Sequence, residues 1–117
     1  MVELNLNQVA EKTGGEILQG SLSTLFRSFN IDSRLTRQGE LFFALIAQRN
    51  GHAYVSDAVQ KGAAGAVISQ KIAPPNSDVA LLMVNDTLLA LQNLAQKVLS
   101  NHKARIVGIT GSIGKTT

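Results

Sequence analysis

The stretch that decides the fold is Leu41-Phe42-Phe43-Ala44-Leu45-Ile46, a continuous apolar run of strand length. After the polar residues 48–51, a helical pattern runs from Tyr54 to Lys61 and ends at Gly62. The small and β-branched segment from Ala63 to Ile68 then follows directly, as the second strand of a βαβ unit does. This order predicts an α/β fold in which a small mixed sheet is flanked by helices.

Upstream of this unit, the sequence predicts a helix and two strands. Residues Leu6 to Thr13 carry apolar side chains at helical spacing, and Gly14–Gly15 follow where a helix C-cap favours glycine. Residues Glu16 to Gln19 and Arg27 to Ile31 alternate polar and apolar side chains, which indicates two short strands. A turn signal at residues 36–39 leads into the central apolar run.

Downstream, a strand and an amphipathic helix follow. Pro74–Pro75 interrupts the chain before Val79 to Val84, which has the composition of a buried strand. Asp86 stands where its carboxylate can accept the N–H groups of a first helical turn. The apolar stripe of this helix comprises Leu88, Leu91, Leu94, Ala95 and Val98. We expect its leucines and the pair Phe42–Phe43 to pack in the core.

Composition excludes several classes of function. The 11 Lys+Arg residues against 8 Asp+Glu are scattered singly and aromatic content is 4%, so we expect no nucleic-acid partner. Cysteine is absent, which excludes a disulfide framework and a thiol nucleophile. His52 and His102 are not joined by acidic residues at ligand spacing, so no histidine metal site is expected. No leader or membrane-length apolar run is evident, which predicts a cytoplasmic protein without a membrane partner.

The last residues have the chemistry of a nucleotide phosphate loop. Such a loop needs glycines that turn backbone N–H groups inward, a lysine for the β and γ phosphates, and a hydroxyl for Mg²⁺. These are supplied, after a predicted strand from Arg105 to Ile109, by Gly111, Gly114, Lys115 and Thr116. The longer motif G-x-x-x-x-G-K-[ST] requires a glycine at position 109, where this chain has Ile109. The chain therefore matches only the shorter pattern G-x-x-G-K-T. An ordinary glycine turn is the alternative.

We predict two domains of unequal length. Residues 1–101 form the first, and residues 102–117 comprise a linker, the first strand and the start of the phosphate loop of a second, ATPase domain. The sequence ends at Thr117, before the helix whose N-terminus would complete the anion site. We therefore expect negligible ATP affinity and no catalysis from these 117 residues alone.

Four motifs, in their order and spacing, resemble the N-terminal domain of the Mur ligases, which assemble the peptide of bacterial cell-wall precursors. These are Ile31-Asp32-Ser33-Arg34, Gly39-Glu40-Leu41-Phe42-Phe43-Ala44-Leu45, Asn50-Gly51-His52 and Lys61-Gly62-Ala63. The ending from Gly108 to Thr117 resembles the family's ATP loop. Its Ser112-Ile113 is closest to the member that adds D-alanyl-D-alanine to UDP-N-acetylmuramoyl-tripeptide. The sister ligase that adds the third amino acid usually has Thr-Asn there and is the alternative.

The resemblance implies a role for each matching residue. ATP would contact Gly111, Ser112, Gly114, Lys115, Thr116 and Thr117, with Thr116 also holding Mg²⁺. The UDP end of the UDP-N-acetylmuramoyl-peptide substrate would contact Ser33, Arg34, Gln48, Arg49, Asn50 and His52. In the full enzyme, ATP would phosphorylate the tripeptide carboxylate, and the amine of D-alanyl-D-alanine would attack the acyl phosphate. We expect a monomer.

Alternative roles remain for two of these residues. Arg34 can make bidentate bonds to a phosphate, or can form a structural ion pair with Asp32 at a strand end. His52 is either a ligand contact or a local cap. The residues from Gln48 to His52 are called here the second loop. In and just before this loop the chain departs from the family pattern, with Ala47 for the usual glycine, Asn50 for the usual aspartate, and one residue fewer.

Two other functions fit the same residues. One is a stand-alone uridine-nucleotide-binding module without catalysis. The other is a folate-polyglutamate-type ligase, which shares the phosphate loop but should lack uridine recognition.

Overall fold

The computed structural model describes residues 4–46 and 50–102, with side chains described through Lys97. Within these residues the strands are β1 (Leu4–Asn5), β2 (Glu16–Gln19), β3 (Leu25–Phe26), β4 (Phe29–Asn30), β5 (Leu41–Phe43), β6 (Gly65–Ile68) and β7 (Ala80–Met83). The helices are α1 (Leu6–Thr13), α2 (Val55–Gln60) and α3 (Thr87–His102). Two short 3-10 helices, Ser33–Leu35 and Gly51–Tyr54, are called the Ser33 turn and the His52 turn.

The main sheet has the strand order β2-β7-β6-β5-β4, and β1 pairs with β3 in a separate ribbon. Strands β4 to β7 are parallel, while β2 lies antiparallel at one edge. The carboxyl ends of β4, β5, β6 and β7 therefore lie at the same edge of the sheet, called here the carboxyl edge. The predicted fold class is confirmed, including the βαβ unit formed by β5, α2 and β6.

The sheet buries both of its faces. On β5, Leu41 and Phe43 belong to the core beneath α1 and α3, whereas Phe42 belongs to the core beneath α2. The Phe43 ring also meets Phe29 edge to face, with ring centroids 6.1 Å apart. The expectation that Phe42 and Phe43 pack in the core is confirmed. Each fully buried aromatic ring contributes about 1.5–3 kcal/mol through removal from water.

Capping residues set the helix boundaries that the sequence predicts. Helix α1 begins in a capping box, in which the Gln8 N–H donates to Asn5 Oδ1 and the Asn5 N–H donates to Gln8 Oε1. It ends at Gly14, whose φ of 74° is in the left-handed region. At the start of α3, Asp86 Oδ1 accepts the N–H groups of Leu88 and Leu89, as predicted.

The apolar stripe of α3 differs from the prediction at its first position. Leu91 and Leu94 are buried, but Leu88 is 50% exposed. Thr87 is buried instead, and its hydroxyl donates to the Ala44 carbonyl oxygen over 2.9 Å. This bond turns Thr87 toward the sheet, so Leu88, one position on, points outward at the rim of the buried face.

The predicted strand from Arg27 to Ile31 is wrong in its extent. Phe26 pairs with Leu4 in the two-stranded ribbon, whereas Phe29 pairs with Leu41 in the main sheet. Only Phe29–Asn30 of the predicted range is strand, because the chain crosses from the ribbon to the main sheet before Phe29, and the Arg27 N–H donates to the Gly39 carbonyl over 2.8 Å. The central strand is also shorter than predicted, since the Leu45 N–H donates to the Phe43 carbonyl and Ile46 is exposed.

Helix α3 runs to His102, across the predicted domain boundary after residue 101. Residues 103–117, which include the predicted strand from Arg105 to Ile109, lie outside the described part of the chain. The division into two domains therefore stays a prediction. Among residues 4–46 and 50–102, no helix has the length and apolar character needed to span a bilayer.

Candidate functional site

The carboxyl edge brings two predicted substrate-binding segments to neighbouring positions. The Ser33 turn follows β4 and the His52 turn follows β5, and these strands are parallel and adjacent. Helix α2 contacts both turns. Ligands of open parallel sheets bind outside the carboxyl ends of the strands, so this is the edge at which a substrate site is expected.

The Ser33 turn presents a serine hydroxyl at its start. Asp32 caps the turn by accepting the Arg34 N–H over 2.9 Å, and the Thr36 hydroxyl donates to the Asp32 carbonyl over 3.1 Å. Ser33 is only 5% exposed, yet no other described residue makes a hydrogen bond to its hydroxyl. The hydroxyl is therefore available to a ligand that reaches the turn.

The structural ion pair offered as an alternative for Asp32 and Arg34 is present. Arg34 Nε lies 3.1 Å from Asp32 Oδ1, and Nη2 lies 2.9 Å from Oδ2. The hydrogen bond from Arg34 lowers the pKa of Asp32, and the same bond, with the Asp32 charge and the nearby Tyr54, raises the pKa of Arg34. Both groups are therefore charged at neutral pH.

The ion pair occupies only part of the guanidinium. The Arg34 side chain is 82% exposed, and its Nη1 makes no hydrogen bond to any described residue. That remaining N–H edge can donate to a phosphate oxygen while the Asp32 contact is kept. The observed pair and the predicted phosphate contact are therefore compatible.

A buried carboxylate lies beneath the Ser33 turn. Glu40 Oε2 accepts the Ser28 hydroxyl over 2.6 Å, and Oε1 accepts the Asn30 amide over 3.2 Å and the Arg37 N–H over 2.8 Å. Glu40 is itself buried. Glu40 belongs to one of the four family motifs, but its sequence position alone predicted no role for it. The sequence signal that could have indicated a buried carboxylate is the position of this acidic residue directly before a wholly apolar strand.

Asn30 links this carboxylate to the turn itself. Its Oδ1 accepts the Asp32 N–H over 2.7 Å, and its Nδ2 donates to the Leu35 carbonyl over 3.2 Å as well as to Glu40. Asn30 is fully buried at the end of β4. Glu40 and Asn30 together therefore hold both ends of the Ser33 turn.

The segment that leads to the His52 turn is closed at its base. Ile46 and Asn50 form an antiparallel bridge, and the Gly51 N–H donates to the Leu45 carbonyl over 2.7 Å. A Cβ at position 51 would lie 2.7 Å from both the backbone N and O of Leu45. Only glycine allows this close approach of two backbone segments.

The imidazole of His52 is buried, with 8% of the residue exposed. Its Nε2 accepts two backbone N–H groups, from Ser69 over 2.9 Å and from Gln70 over 3.1 Å. Nδ1 must then carry the proton, which it donates to Asn50 Oδ1 over 2.7 Å. Burial lowers the pKa of His52, so the ring is neutral at neutral pH. Both nitrogens are thus occupied within the protein.

Asn50 completes this arrangement on the outer side. Its Oδ1 accepts the backbone N–H of His52 as well as the ring proton, and its Nδ2 donates to Gln70 Oε1 over 3.0 Å. Asparagine supplies an acceptor and a donor together, which the aspartate usual in the family does not. Ser69 and Gln70 could not be predicted as partners of His52, because they contribute only backbone N–H groups, 17 and 18 residues further along the chain.

The remaining predicted site residues lie outside the described part of the chain. These are Gln48 and Arg49 in the second loop, and Gly111, Ser112, Gly114, Lys115, Thr116 and Thr117 in the phosphate loop, with the predicted Mg²⁺ contact of Thr116. Among the described residues, no group of three or more His, Cys, Asp or Glu side chains could hold a metal ion.

A separate cleft of about 320 Å³ lies between the end of α1 and the start of α3. It is lined by residues such as Thr13, Glu16, Asn85, Asp86 and Asn93. Of the predicted site residues that the structure describes, none lines it.

Curated relatives match the chain along its length, although no family model does. UDP-N-acetylmuramoyl-tripeptide–D-alanyl-D-alanine ligase from Bacillus subtilis is 33% identical over all of the chain and 26% of its own length. The enzyme of the same name from Escherichia coli is 37% identical over all of the chain and 25% of its own length. The UDP-N-acetylmuramoyl-L-alanyl-D-glutamate–2,6-diaminopimelate ligase of Clostridium perfringens is 30% identical over 87% of the chain and 22% of its own length.

Solved structures of ligases with similar sequences share the fold of the chain. MurF from Acinetobacter baumannii superimposes with a TM-score of 0.76 and 25% identity over 86% of the chain and 22% of that protein. MurF ligase from Thermotoga maritima, solved in complex with ADP, gives a TM-score of 0.56 and 30% identity over 64% of the chain and 17% of that protein.

The chain thus spans about a quarter of the length of these relatives. Sequence similarity extends over its whole length, and the fold of its described residues is shared with the N-terminal domain of the structural neighbours. The chain belongs to the Mur ligase family, and the two relatives above that match its whole length carry D-alanyl-D-alanine in their name.

Proposed function

We propose that the chain is the substrate-anchoring part of an ATP-dependent ligase that joins D-alanyl-D-alanine to UDP-N-acetylmuramoyl-tripeptide in the cytoplasm. The relatives named above support this activity for the whole protein. The observation that carries the role of this chain is the placement of the Ser33 turn and the His52 turn after neighbouring parallel strands. A uridine diphosphate headgroup that lies across this edge would reach both turns.

Each described residue has a distinct part in this proposal. The Ser33 hydroxyl donates to a uracil or phosphate oxygen, and the outer N–H edge of Arg34 donates to the diphosphate. Gln48, Arg49 and Asn50 line the other side of the headgroup. His52 supports this segment from beneath, because its ring nitrogens already have partners.

The phosphate loop belongs to the same proposal. Lys115 meets the β and γ phosphates of ATP, Thr116 holds Mg²⁺, and the backbone around Gly111 to Gly114 cradles the phosphates. Phosphorylation of the tripeptide carboxylate then makes it an electrophile for the amine of D-alanyl-D-alanine. Residues beyond this chain supply the rest of that chemistry, so the 117-residue chain alone binds the nucleotide sugar without turning over ATP.

Calorimetric titration with UDP-N-acetylmuramoyl-tripeptide tests the substrate site. Ser33→Ala should weaken binding about 2- to 12-fold, because one hydroxyl hydrogen bond is worth about 0.5–1.5 kcal/mol. Ser77→Ala is the matched control, since Ser77 is exposed near the start of β7 and should leave affinity unchanged. Equal affinities for the wild type and Ser33→Ala would remove Ser33 from the site, and absence of binding would reject the anchoring role.

The diaminopimelate-adding relative supports a second candidate, the ligase that adds the third amino acid. It matches 87% of the chain, whereas the two D-alanyl-D-alanine ligases named above match all of it. The full-length protein should form product from the tripeptide substrate and D-alanyl-D-alanine, and none from the dipeptide substrate and diaminopimelate. The opposite result would select the second candidate. Titration of this chain with a folate should give no binding, and folate binding would favour the folate-type ligase.

A further inference from the structure

We propose that His52 is a positioning residue, whose neutral imidazole ties the His52 turn to the carboxyl end of β6 and thereby sets the affinity of the uridine nucleotide site. The inference rests on the proposed function, because it assigns this residue to the same site. It concerns the hydrogen bonds of one side chain, so it can be measured separately from substrate binding.

The geometry gives the imidazole a connecting role. On one side, Nδ1–H donates to Asn50, which starts the turn after β5. On the other side, Nε2 accepts two successive N–H groups, from Ser69 and Gln70, at the point where β6 ends. A single ring therefore joins the connections that follow two neighbouring strands. A second, exposed bond between Asn50 and Gln70 runs in parallel on the surface.

This connection exists only while Nε2 is unprotonated. In the imidazolium form both nitrogens carry protons, so Nε2 would face two N–H donors instead of accepting from them. The Ser69 and Gln70 N–H groups would lose their partner, and buried donors without acceptors are costly. Protonation should therefore release the turn from β6.

The direction of the pH dependence follows from burial. The pKa of His52 is lowered from the ordinary value of 6.5 by desolvation in the fold. Because the unfolded chain then binds the proton more readily, the contribution of His52 is fully present above pH 6.5 and is lost as pH falls through the folded pKa.

Other ionisable groups lie on the elements that pack around the turn. They are Tyr54 in the turn itself, Asp57 in the first turn of α2, Lys71 after Gln70, and Arg34 near Tyr54. None of these described side chains makes a hydrogen bond to the imidazole. The response at mildly acidic pH is therefore assigned to the ring and its backbone donors.

Three variants separate positioning from simple structural loss. His52→Gln places an amide oxygen near the position of Nε2, so it can accept from the same N–H groups but cannot titrate. His52→Phe keeps a ring of similar size and removes both hydrogen-bonding nitrogens. His102→Gln changes the other histidine of the chain, which lies at the end of α3, and serves as the control.

Binding of UDP-N-acetylmuramoyl-tripeptide from pH 8 to pH 5 is the first measurement. Free UDP has a terminal phosphate whose second ionisation has a pKa of about 6, within the range of the titration. Both phosphates of this ligand are esterified, so it lacks that ionisation. Wild type and His102→Gln should lose affinity about fivefold or more across this range, a typical size for coupling between sites. His52→Gln should vary much less, and His52→Phe should bind weakly even at pH 8.

Amide hydrogen exchange without ligand is the second measurement. The intrinsic rate of amide exchange changes with pH in every protein, and His52→Gln measures that change for the Ser69 and Gln70 amides. In the wild type these two amides should lose protection as pH falls by more than they do in His52→Gln. Loss of protection with no ligand binding at any pH would reject the proposed function and the coupling, while keeping the local role of the ring. Identical pH profiles of binding for the wild type and His52→Gln, in a chain that does bind, would overturn the positioning role alone.

Discussion

The Ser33 turn and the His52 turn follow neighbouring strands but are held in place by different means. The Ser33 turn rests on Asn30 and Glu40, which come from within the same stretch of about a dozen residues. The His52 turn depends on backbone donors 17 and 18 residues further along, beyond the next strand. The first turn is therefore held by nearby residues alone, whereas the contacts of the His52 imidazole with Ser69 and Gln70 form only once β6 lies beside β5.

This difference predicts how each turn responds to damage. A local network forms with the segment that contains it, so its loss affects the fold of that segment directly. A connection between two strand ends can open while both strands remain paired. We therefore expect the largest losses of global stability from the Ser33 side and the largest local changes from the His52 side.

The largest effect should follow from Glu40→Leu. Leucine would strand three buried or partly buried donors, those of Ser28, Asn30 and Arg37, and we expect the free energy of unfolding to fall by about 3–5 kcal/mol. Chemical denaturation measures this. Glu40→Gln retains an oxygen acceptor and should cost clearly less, and equal losses for the two variants would contradict the role of Glu40 as acceptor.

A smaller loss should follow from Gly51→Ala. The added methyl group would meet the backbone of Leu45, which cannot move like a flexible side chain, so about 1–3 kcal/mol should be lost. Denaturation midpoints give the magnitude, and amide exchange should locate the change in the His52 turn. Ala53→Ser, at an exposed position of the same turn, should remain within about 0.5 kcal/mol. A Gly51→Ala protein as stable as wild type would show that the two backbones can separate easily.

The smallest effect should follow from Thr87→Val, which removes the hydroxyl bond from α3 to the Ala44 carbonyl near the root of the second loop. Valine keeps the shape, so the loss should be about 1 kcal/mol. Thr87→Ser retains the hydroxyl and should preserve protection of the loop amides where valine does not. Greater damage from serine would indicate that packing of the methyl group, and not the hydrogen bond, fixes Thr87.

Local signals predicted much of the fold. The start and end of α1, the Asp86 cap and the βαβ unit each depend on residues close together in sequence, and all were correct. The errors involve distant partners. Phe26 joins the ribbon because it pairs with Leu4, and Leu88 is exposed because Thr87 bonds to Ala44. Periodicity within a segment contains no information about either partner.

The candidate site shows the same division. Ser33 and Arg34 were predicted as substrate contacts from their side-chain chemistry and family motif, and that role stays a prediction; the parallel pairing of β4 and β5 places the Ser33 turn and the His52 turn at the same edge. The supporting roles of Asn30 and Glu40 could not be predicted, because a buried polar side chain reveals its function only through the partners that surround it. A structural role for His52 was one of two alternatives from the sequence, but its partners Ser69 and Gln70 could not be predicted.

The hydrogen-bonded base of the second loop has a consequence for how such proteins diverge. The bridge between Ile46 and Asn50 and the bond from Gly51 to Leu45 fix where the chain leaves and rejoins the sheet. Residues can therefore be gained or lost between these anchors without shifting the strands or the imidazole beyond them. Changes in this interval would alter the side chains offered to a substrate while the scaffold is inherited intact.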